Sequence, residues 1–210
     1  MGGSRRRALV EALVVGKPNT GKSLFVVNFA SYLGLKEVRL EMMDQDGMVR
    51  HQKLPLEKAR RQLVSHVVHK TQTMQSISVD ILTGRHHHVI SLTDTVGLTD
   101  EIHFENHIRR AMAMALDQLT HTSMVLHLID ASAVGLSRPE SLSLMDEAMA
   151  RYASTIAPYA ILANKMDRDL SKVGLDRLRE RFRGQAIIPI SAMTRRGFRD
   201  VKTFILRHWS

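Results

Sequence analysis

The chain has 210 residues, of which 44% are hydrophobic and 24% are charged, so its length suits one domain and its composition excludes a disordered or fibrous protein. It contains no cysteine, which excludes disulfides and thiolate metal sites and makes a reducing cytoplasm the natural compartment, and no apolar run approaches the roughly 20 residues of a transmembrane helix. The formal net charge of +9 attracts polyanions, and it is equally compatible with RNA or ribosome contact and with a basic surface that only aids solubility.

Apolar runs alternate with amphipathic segments along the chain, a pattern typical of βαβ units and a mostly parallel sheet. Each predicted strand is a short apolar run, and most predicted helices begin or end at a capping residue, a proline or a glycine. We therefore expect an α/β fold with about six strands and with helices on both faces of the sheet. The predicted strands are residues 9–15, 77–83, 89–93, 123–129, 159–163 and 186–190, and the predicted helices are residues 22–33, 56–68, 104–119, 137–152, 175–182 and 197–208.

One domain fills nearly all of the chain in this interpretation, because no repeat, low-complexity segment or interdomain linker interrupts the pattern. Residues 1–7 form a basic N-terminal arm, and residues 8–210 form the domain. A long polar stretch at about residues 36–70 is interpreted as an insertion. The strands at 77–83 and 89–93 flank a tight turn, so we expect them to form an antiparallel hairpin at the edge of the sheet.

A glycine-rich segment follows the first strand and opens the first helix, which is the context of a phosphate-binding loop. Its glycines let backbone N–H groups point at phosphate oxygens, and the helix N-terminus adds a partial positive charge. Lys22 supplies a point charge to the β- and γ-phosphates, and the Ser23 hydroxyl is suited to bind Mg²⁺. The residues predicted to contact the nucleotide are Gly16, Lys17, Pro18, Asn19, Thr20, Gly21, Lys22, Ser23 and Leu24.

The segment Asn-Lys-Met-Asp at residues 164–167 predicts which base is bound. It follows the apolar run at 159–163, at the end of the strand where ligands bind on open parallel sheets. The Asp167 carboxylate can accept hydrogen bonds from both N1 and N2 of guanine, whereas adenine has no such donor pair. The Lys165 stem can lie over the purine ring, and Asn164 can join this loop to the phosphate loop. These residues favour guanine over adenine nucleotides, and they argue against a P-loop ATPase or kinase.

Two other strand ends carry candidate site residues. Asp94 ends the strand at 89–93, where a carboxylate would hold Mg²⁺, usually through water. Gly97 follows it and lets its backbone N–H approach the γ-phosphate, which makes this segment sensitive to hydrolysis. After the last strand, the backbone of Ser191, Ala192 and Met193 is expected to contact the guanine O6.

In this order, these segments resemble the translation-factor-related GTPases, and in particular their Era/TrmE-like group. The resemblance is carried by the phosphate loop at 16–23, Asp-Thr-Val-Gly-Leu at 94–98 and Asn-Lys-Met-Asp at 164–167, together with His-Lys-Thr-Gln-Thr at 69–73. It covers about residues 8–208, except for the polar insertion. It implies a P-loop NTPase G domain in which the insertion at about 36–70 lies in the first switch region.

The resemblance also implies roles for residues in the two switch regions. Thr73 takes the place of the threonine that closes over Mg²⁺, with Thr71 as the alternative. Leu98 stands where Ras-like proteins have the glutamine that orients the attacking water. Glu105 lies near the position of a water-orienting glutamate in TrmE-like proteins. Asn19 matches an asparagine that helps some of these GTPases bind K⁺ beside the phosphates, although it can also be a simple turn residue.

The expected function is that of a switch that binds Mg²⁺ and GTP, hydrolyses GTP slowly to GDP and phosphate, and acts in ribosome assembly or RNA modification. The resemblance also leaves open a homodimer formed through the G domain. The alternative is a module that assembles with partners when GTP is bound and has negligible turnover, which Leu98 and the basic surface favour.

Overall fold

The computed structural model describes residues 9–43, 49–65, 74–83, 86–94, 122–138 and 141–208. Within these ranges, no helix combines the length and the hydropathy that crossing a bilayer would take. The strands are β1 (Leu9–Val15), β2 (Glu37–Met43), β3 (Val49–Pro55), β4 (Met74–Thr83), β5 (His86–Asp94), β6 (Met124–Asp130), β7 (Tyr159–Asn164) and β8 (Ala186–Pro189). The helices are α1 (Lys22–Tyr32), α2 (Leu56–Ser65), α3 (Ala131–Gly135), α4 (Leu144–Ile156), α5 (Ser171–Arg181) and α6 (Phe198–Arg207).

The strands form one sheet in the order β3-β2-β4-β5-β1-β6-β7-β8. The run from β5 to β8 is parallel throughout, so the prediction of a mostly parallel sheet is confirmed. All of the predicted strands are present. The hairpin of β4 and β5 is antiparallel as expected, but its placement at the sheet edge was wrong. β2 pairs with the other side of β4 and β5 pairs with β1, so β3 is the edge strand of the described sheet on this side.

Strands β2 and β3, which were not predicted, come from the segment that was interpreted as a polar insertion. β2 and β3 pair as an antiparallel hairpin in which Val38 lies opposite Leu54. Both of these side chains are buried in the core that α1 covers, which explains why a mostly polar segment joins the sheet. Helix α2 begins directly after Pro55, and Leu56 and Ala59 bury its apolar side in the same core. The predicted helix over residues 56–68 therefore begins as expected, and residues 66–68 lie outside the described residues.

Helices cover both faces of the sheet, as predicted, because alternate residues of each buried strand point in opposite directions. In β1, Ala12 and Val14 pack in one hydrophobic cluster, while Leu13 and Val15 pack in another. The first cluster includes apolar residues of α1, α2 and α6, and the second includes those of α4 and α5. The parallel strands are thus buried on both sides, which accounts for their continuous apolar runs.

The prediction of a helix over residues 137–152 was wrong about where the helix begins. Ser137 has a positive φ of 56° just after α3, and α4 begins only at Leu144. The start is fixed by a capping box in which Asp146 accepts hydrogen bonds from the backbone N–H and the hydroxyl of Ser143. Helix α5 begins at Ser171, four residues before the predicted start, and β8 ends one residue early at Pro189. The helix predicted over residues 104–119 lies outside the described residues.

Candidate nucleotide-binding site

The loop between β1 and α1 lies at the carboxyl end of the parallel strands and depends on two glycines. Gly16 has a φ of 142° and Gly21 a φ of 98°, values that favour glycine. A Cβ on Gly16 would lie 2.4 Å from the carbonyl oxygen of Leu128, and a Cβ on Gly21 would lie 2.5 Å from the Asn164 amide nitrogen. The loop therefore packs against β6 and against the end of β7 more closely than any side chain at these positions allows.

Lys22 begins α1 and folds back over this loop. Its Nζ donates hydrogen bonds of 2.9 Å to the carbonyl oxygens of both Gly16 and Lys17, and the residue is only 7% exposed. The Thr20 hydroxyl donates to the same Lys17 carbonyl at 2.8 Å. These contacts hold one positive charge within the loop, beside the partial positive charge of the α1 N-terminus. Ser23 follows in the first turn of α1 and is half-buried.

Asn164 joins the phosphate loop to the segment that the sequence assigned to guanine. Its Nδ2 donates a 2.7 Å hydrogen bond to the carbonyl of Thr20, and its Oδ1 accepts a 2.9 Å hydrogen bond from the N–H of Ala192. The residue is 1% exposed, so both bonds are shielded from water. The structure thus brings together three loops that are far apart in the sequence, and it does so through one side chain.

Asp167 lies in the loop after β7, at the protein surface and next to the loop after β8. Its Oδ1 accepts a 2.5 Å hydrogen bond from the Ser191 hydroxyl, whose oxygen accepts in turn from the N–H of Thr194 at 3.0 Å. Ser191 is buried whereas Asp167 is exposed, so a buried hydroxyl orients an accessible carboxylate. Met193, the last residue predicted for the O6 contact, is 61% exposed.

Lys165 has a left-handed backbone with a φ of 66°, and its side chain is paired with a carboxylate that the sequence analysis missed. Its Nζ lies 2.6 Å from Oδ2 of Asp130 at the end of β6. Asp130 also caps α3 by accepting from the N–H groups of Ser132 and Ala133. Burial by itself would raise the pKa of Asp130, but the hydrogen bonds from Lys165 and Ser132 and the Lys165 charge lower it below its ordinary value. Asp130 is therefore ionised at neutral pH, and its bond to Nζ fixes the Lys165 stem.

Asn28 is a second residue that the sequence analysis missed. It lies on α1, is 2% exposed, and its Nδ2 donates a 2.7 Å hydrogen bond to the carbonyl of Ala192. The signal available in the sequence was an asparagine among the apolar residues of a buried helix, since a buried amide needs a partner. With Asn164 on its N–H and Asn28 on its carbonyl, the backbone of Ala192 is held on both sides.

The remaining predicted site residues fall into two groups. Asp94 ends β5 opposite Val14 of β1, so its backbone lies at the sheet edge that carries the phosphate loop. In that loop Pro18 and Asn19 are exposed, Asn19 with a φ of 62°, and Leu24 packs against the core. The predictions for Thr71, Thr73, Gly97, Leu98 and Glu105 lie outside the described residues.

Comparison with known proteins agrees with the resemblance to GTPases. The sequence profile of the family described as 50S ribosome-binding GTPase matches residues 11–165. A search of curated protein sequences found no match.

Solved structures similar to this chain include G domains of two kinds. The G domain of the T. maritima FeoB iron transporter has 14% identity and a TM-score of 0.57, and the match covers 97% of this chain and 100% of that one. An Era variant from Aquifex aeolicus bound to GDP and aluminium fluoride has 18% identity and a TM-score of 0.58, with coverages of 96% and 57%. Era in complex with MgGDPNP and nucleotides 1506–1542 of 16S ribosomal RNA has 17% identity and a TM-score of 0.58, with coverages of 98% and 58%. The chain thus spans a little over half of each Era chain, and these likenesses establish the fold.

Proposed function

The chain belongs to the family of 50S ribosome-binding GTPases, and on that premise we propose that it works as a switch that binds GTP with Mg²⁺ and hydrolyses it to GDP and phosphate. It is a GTP-binding GTPase domain with the fold of the Era and FeoB G domains. The observation that carries the proposal is the buried side chain of Asn164, at the start of the loop of Asp167, which donates a hydrogen bond to Thr20 of the phosphate loop and accepts one from Ala192 of the loop after β8. One nucleotide can therefore contact both loops.

Guanine selectivity is assigned to Asp167. An ionised carboxylate only accepts hydrogen bonds, and guanine presents two donors, N1–H and the N2 amino group, on one edge. Adenine presents an acceptor at N1, so the carboxylate would lose its partners against adenine. Because Ser191 already orients one carboxylate oxygen, the group is set for this contact before the nucleotide arrives. The Lys165 stem, fixed by Asp130, is assigned to the face of the purine ring.

Phosphate binding is assigned to the loop of residues 16–23. Lys22 supplies a fixed positive charge, and the backbone N–H groups with the α1 N-terminus supply further positive potential. Ser23 in the first turn of α1 and Asp94 at the end of β5 bear the hard oxygen donors that Mg²⁺ prefers, and both belong to elements that flank the loop, so these residues fit the ion. When bound, Mg²⁺ would neutralise charge on the β- and γ-phosphates.

Hydrolysis is assigned to residues of the two switch segments. Thr73 would close over the Mg²⁺ site, the N–H of Gly97 would contact the γ-phosphate, and Glu105 would orient the attacking water. Leu98 cannot orient water, so intrinsic turnover should be slow, near the roughly 10⁻⁴ per second of unassisted Ras-type domains. Asn19 is proposed as a K⁺ ligand beside the phosphates because of its position in the phosphate loop, where the residue is exposed and its backbone is left-handed.

The Asp167→Asn variant tests the proposed nucleotide contact. Wild-type protein with Mg²⁺ should prefer GDP to ADP by a factor on the order of 10⁴, measured by competition against fluorescent GDP. In the variant an amide replaces the carboxylate, so GDP should lose affinity while xanthosine diphosphate, which has a carbonyl in place of the N2 amino group, should gain it. Asp169→Asn, an exposed change two residues away, is the matched control and should keep the wild-type preference. Unchanged selectivity in Asp167→Asn would refute the assignment.

For the cellular role, we propose ribosome assembly or RNA modification in the cytoplasm. The family is described by ribosome binding, the Era structure similar to this chain contains 16S ribosomal RNA, and the net charge of +9 suits a polyanionic partner. The alternative is a GTP-dependent assembly module with negligible turnover, which Leu98 favours, and a homodimer through the G domain is compatible with both. Single-turnover hydrolysis with and without ribosomal RNA separates the two, because only the switch should turn over GTP.

A further inference from the structure

A chain of buried polar groups runs beneath the phosphate loop, on the face of the sheet covered by α4. Lys17 Nζ lies 3.4 Å from Oδ2 of Asp146, His127 Nε2 lies 3.2 Å from Oδ1 of Asp146, and His127 Nδ1 lies 2.8 Å from the Tyr159 hydroxyl. Asp146, His127 and Tyr159 are buried, and the Lys17 side chain is only 13% exposed. None of these contacts is used by the assignments made above, and burying so many polar groups is costly unless they are paired.

The direction of the bonds to Asp146 follows from the chemistry of a carboxylate. An ionised Asp146 can only accept, so His127 Nε2 donates to it, and the Nδ1 on the other side of the ring is left to pair with the Tyr159 hydroxyl. Burial, and then the negative charge of Asp146, raise the pKa of Tyr159, which keeps that hydroxyl protonated. The second oxygen of Asp146 accepts from the backbone N–H of Ser143 at 2.8 Å and from the Ser143 hydroxyl at 3.1 Å, at the start of α4. The carboxylate is therefore held from several sides before Lys17 reaches it.

Lys17 connects this buried chain to the phosphate loop. Its ammonium group pairs with Asp146, whereas its carbonyl oxygen accepts from Lys22 Nζ at 2.9 Å and from the Thr20 hydroxyl at 2.8 Å. Movement of Lys17 would consequently move the carbonyl that binds Lys22. The pairing also directs the second ammonium group of the loop to the α4 side of the sheet, while α1, whose N-terminus follows the loop, covers the other side.

We propose that Asp146, oriented by His127 and Tyr159, is a positioning residue for phosphate binding, which it serves by holding Lys17 and so the carbonyl that binds Lys22. The inference rests on the proposed function and assigns to it a residue outside the nucleotide contacts. It makes a specific claim, namely that the network acts on the phosphate end of the nucleotide and leaves recognition of the guanine base unchanged.

The test compares GDP with guanosine, which lacks phosphates, as competitors for fluorescent GDP. In Asp146→Asn we expect GDP affinity to fall on the order of tenfold, a factor that corresponds to about 1.4 kcal/mol, while guanosine affinity stays as in wild type. Lys17→Met should show the same pattern. In the double variant the two losses should not add, because both substitutions break one connection. Asp200→Asn, an exposed carboxylate in the first turn of α6, is the matched control.

Each outcome of this test decides one claim. Equal losses of GDP and guanosine affinity in Asp146→Asn would mean that the residue only supports the fold, and additive losses in the double variant would mean that it does not act through Lys17. Either result overturns the inference and leaves the proposed function intact. If Asp146→Asn does not fold, Lys17→Met and Tyr159→Phe carry the same comparison of GDP with guanosine. Wild-type protein without any preference for guanine nucleotides would overturn the proposed function itself.

Discussion

Replacement of Asn164 by alanine is the perturbation whose effect can be worked out most directly. The substitution removes both the 2.7 Å bond to the Thr20 carbonyl and the 2.9 Å bond from the Ala192 N–H. Because Asn164 is 1% exposed, the shortened side chain leaves both backbone groups buried without that partner. It also removes the amide group that packs closely over Gly21, where a Cβ would lie 2.5 Å from the amide nitrogen, so the loops lose packing as well as hydrogen bonds.

A buried polar group that loses its partner costs about 1–3 kcal/mol, so two groups cost about 2–6 kcal/mol together. Without nucleotide, the loops can separate and let water reach these groups, which relieves part of the cost. Nucleotide binding requires the loops to come together again, so the relieved part should reappear as lost affinity. We expect the free energy of unfolding to fall by about 2 kcal/mol and GDP affinity to fall by about tenfold or more.

Urea unfolding of the nucleotide-free protein and titration with fluorescent GDP measure the two parts separately. Asn28→Ala is the matched comparison, since Asn28 is equally buried and binds the carbonyl of the same Ala192 but has no bond to the phosphate loop. It should reduce stability to a similar or smaller extent and weaken GDP binding less than Asn164→Ala. If both variants weakened GDP binding equally, the connection from Asn164 to Thr20 would not be what brings the two loops together, and the reasoning would fail.

Three further predictions concern acid stability, backbone strain and cation dependence. Burial alone would raise the pKa of Asp146, but the hydrogen bond and charge of His127, together with Ser143 and Lys17, lower it from 3.8 to about 2. The ionised carboxylate therefore contributes about 2 kcal/mol to the free energy of unfolding above pH 4, and this contribution is lost as the pH falls toward 2. The stability difference between wild type and Asp146→Asn in urea should therefore shrink by that amount between pH 6 and 2, and a constant difference would contradict the low pKa. Gly16→Ala should lower the melting temperature more than Gly184→Ala, because both have positive φ but only a Cβ at position 16 meets backbone, at 2.4 Å, and equal effects would argue against close packing on β6. GTP turnover should be faster in K⁺ than in Na⁺, and Asn19→Ala should abolish that difference; equal wild-type rates in both salts would remove the role given to Asn19.

The sequence predicted the parallel core of this protein because each of its signals is local. The strand at Leu9–Val15 and the start of α1 were correct to the residue, since a continuous apolar run followed by Gly-rich sequence leaves little choice. The placement of the candidate loops at the carboxyl ends of the parallel strands followed from the same order of elements. Where the sequence analysis erred, the deciding contact was distant or polar. The hairpin of β2 and β3 depends on burying Val38 and Leu54 against α1, which no local periodicity reports.

The candidate site divides in the same way. Residue types and spacing were sufficient to predict a phosphate loop, a guanine segment and a connection between them through Asn164. They did not predict the hydrogen bond from Asn28 to the Ala192 carbonyl or the ion pairs of Asp130 with Lys165 and of Asp146 with Lys17. In each of these pairs the partners come from different elements. From the sequence alone, a single Asn or Asp on a helix or at a strand end is compatible with many different partners.

The sequence by itself thus determined which loops bear the groups predicted to meet the nucleotide, because those loops follow apolar strands that are buried in the parallel part of the sheet. Only the tertiary structure decided what holds those groups in place. Burial removes the competition of water, and a carboxylate or amide in the core must then find the partner that packing of the helices brings within hydrogen-bonding distance.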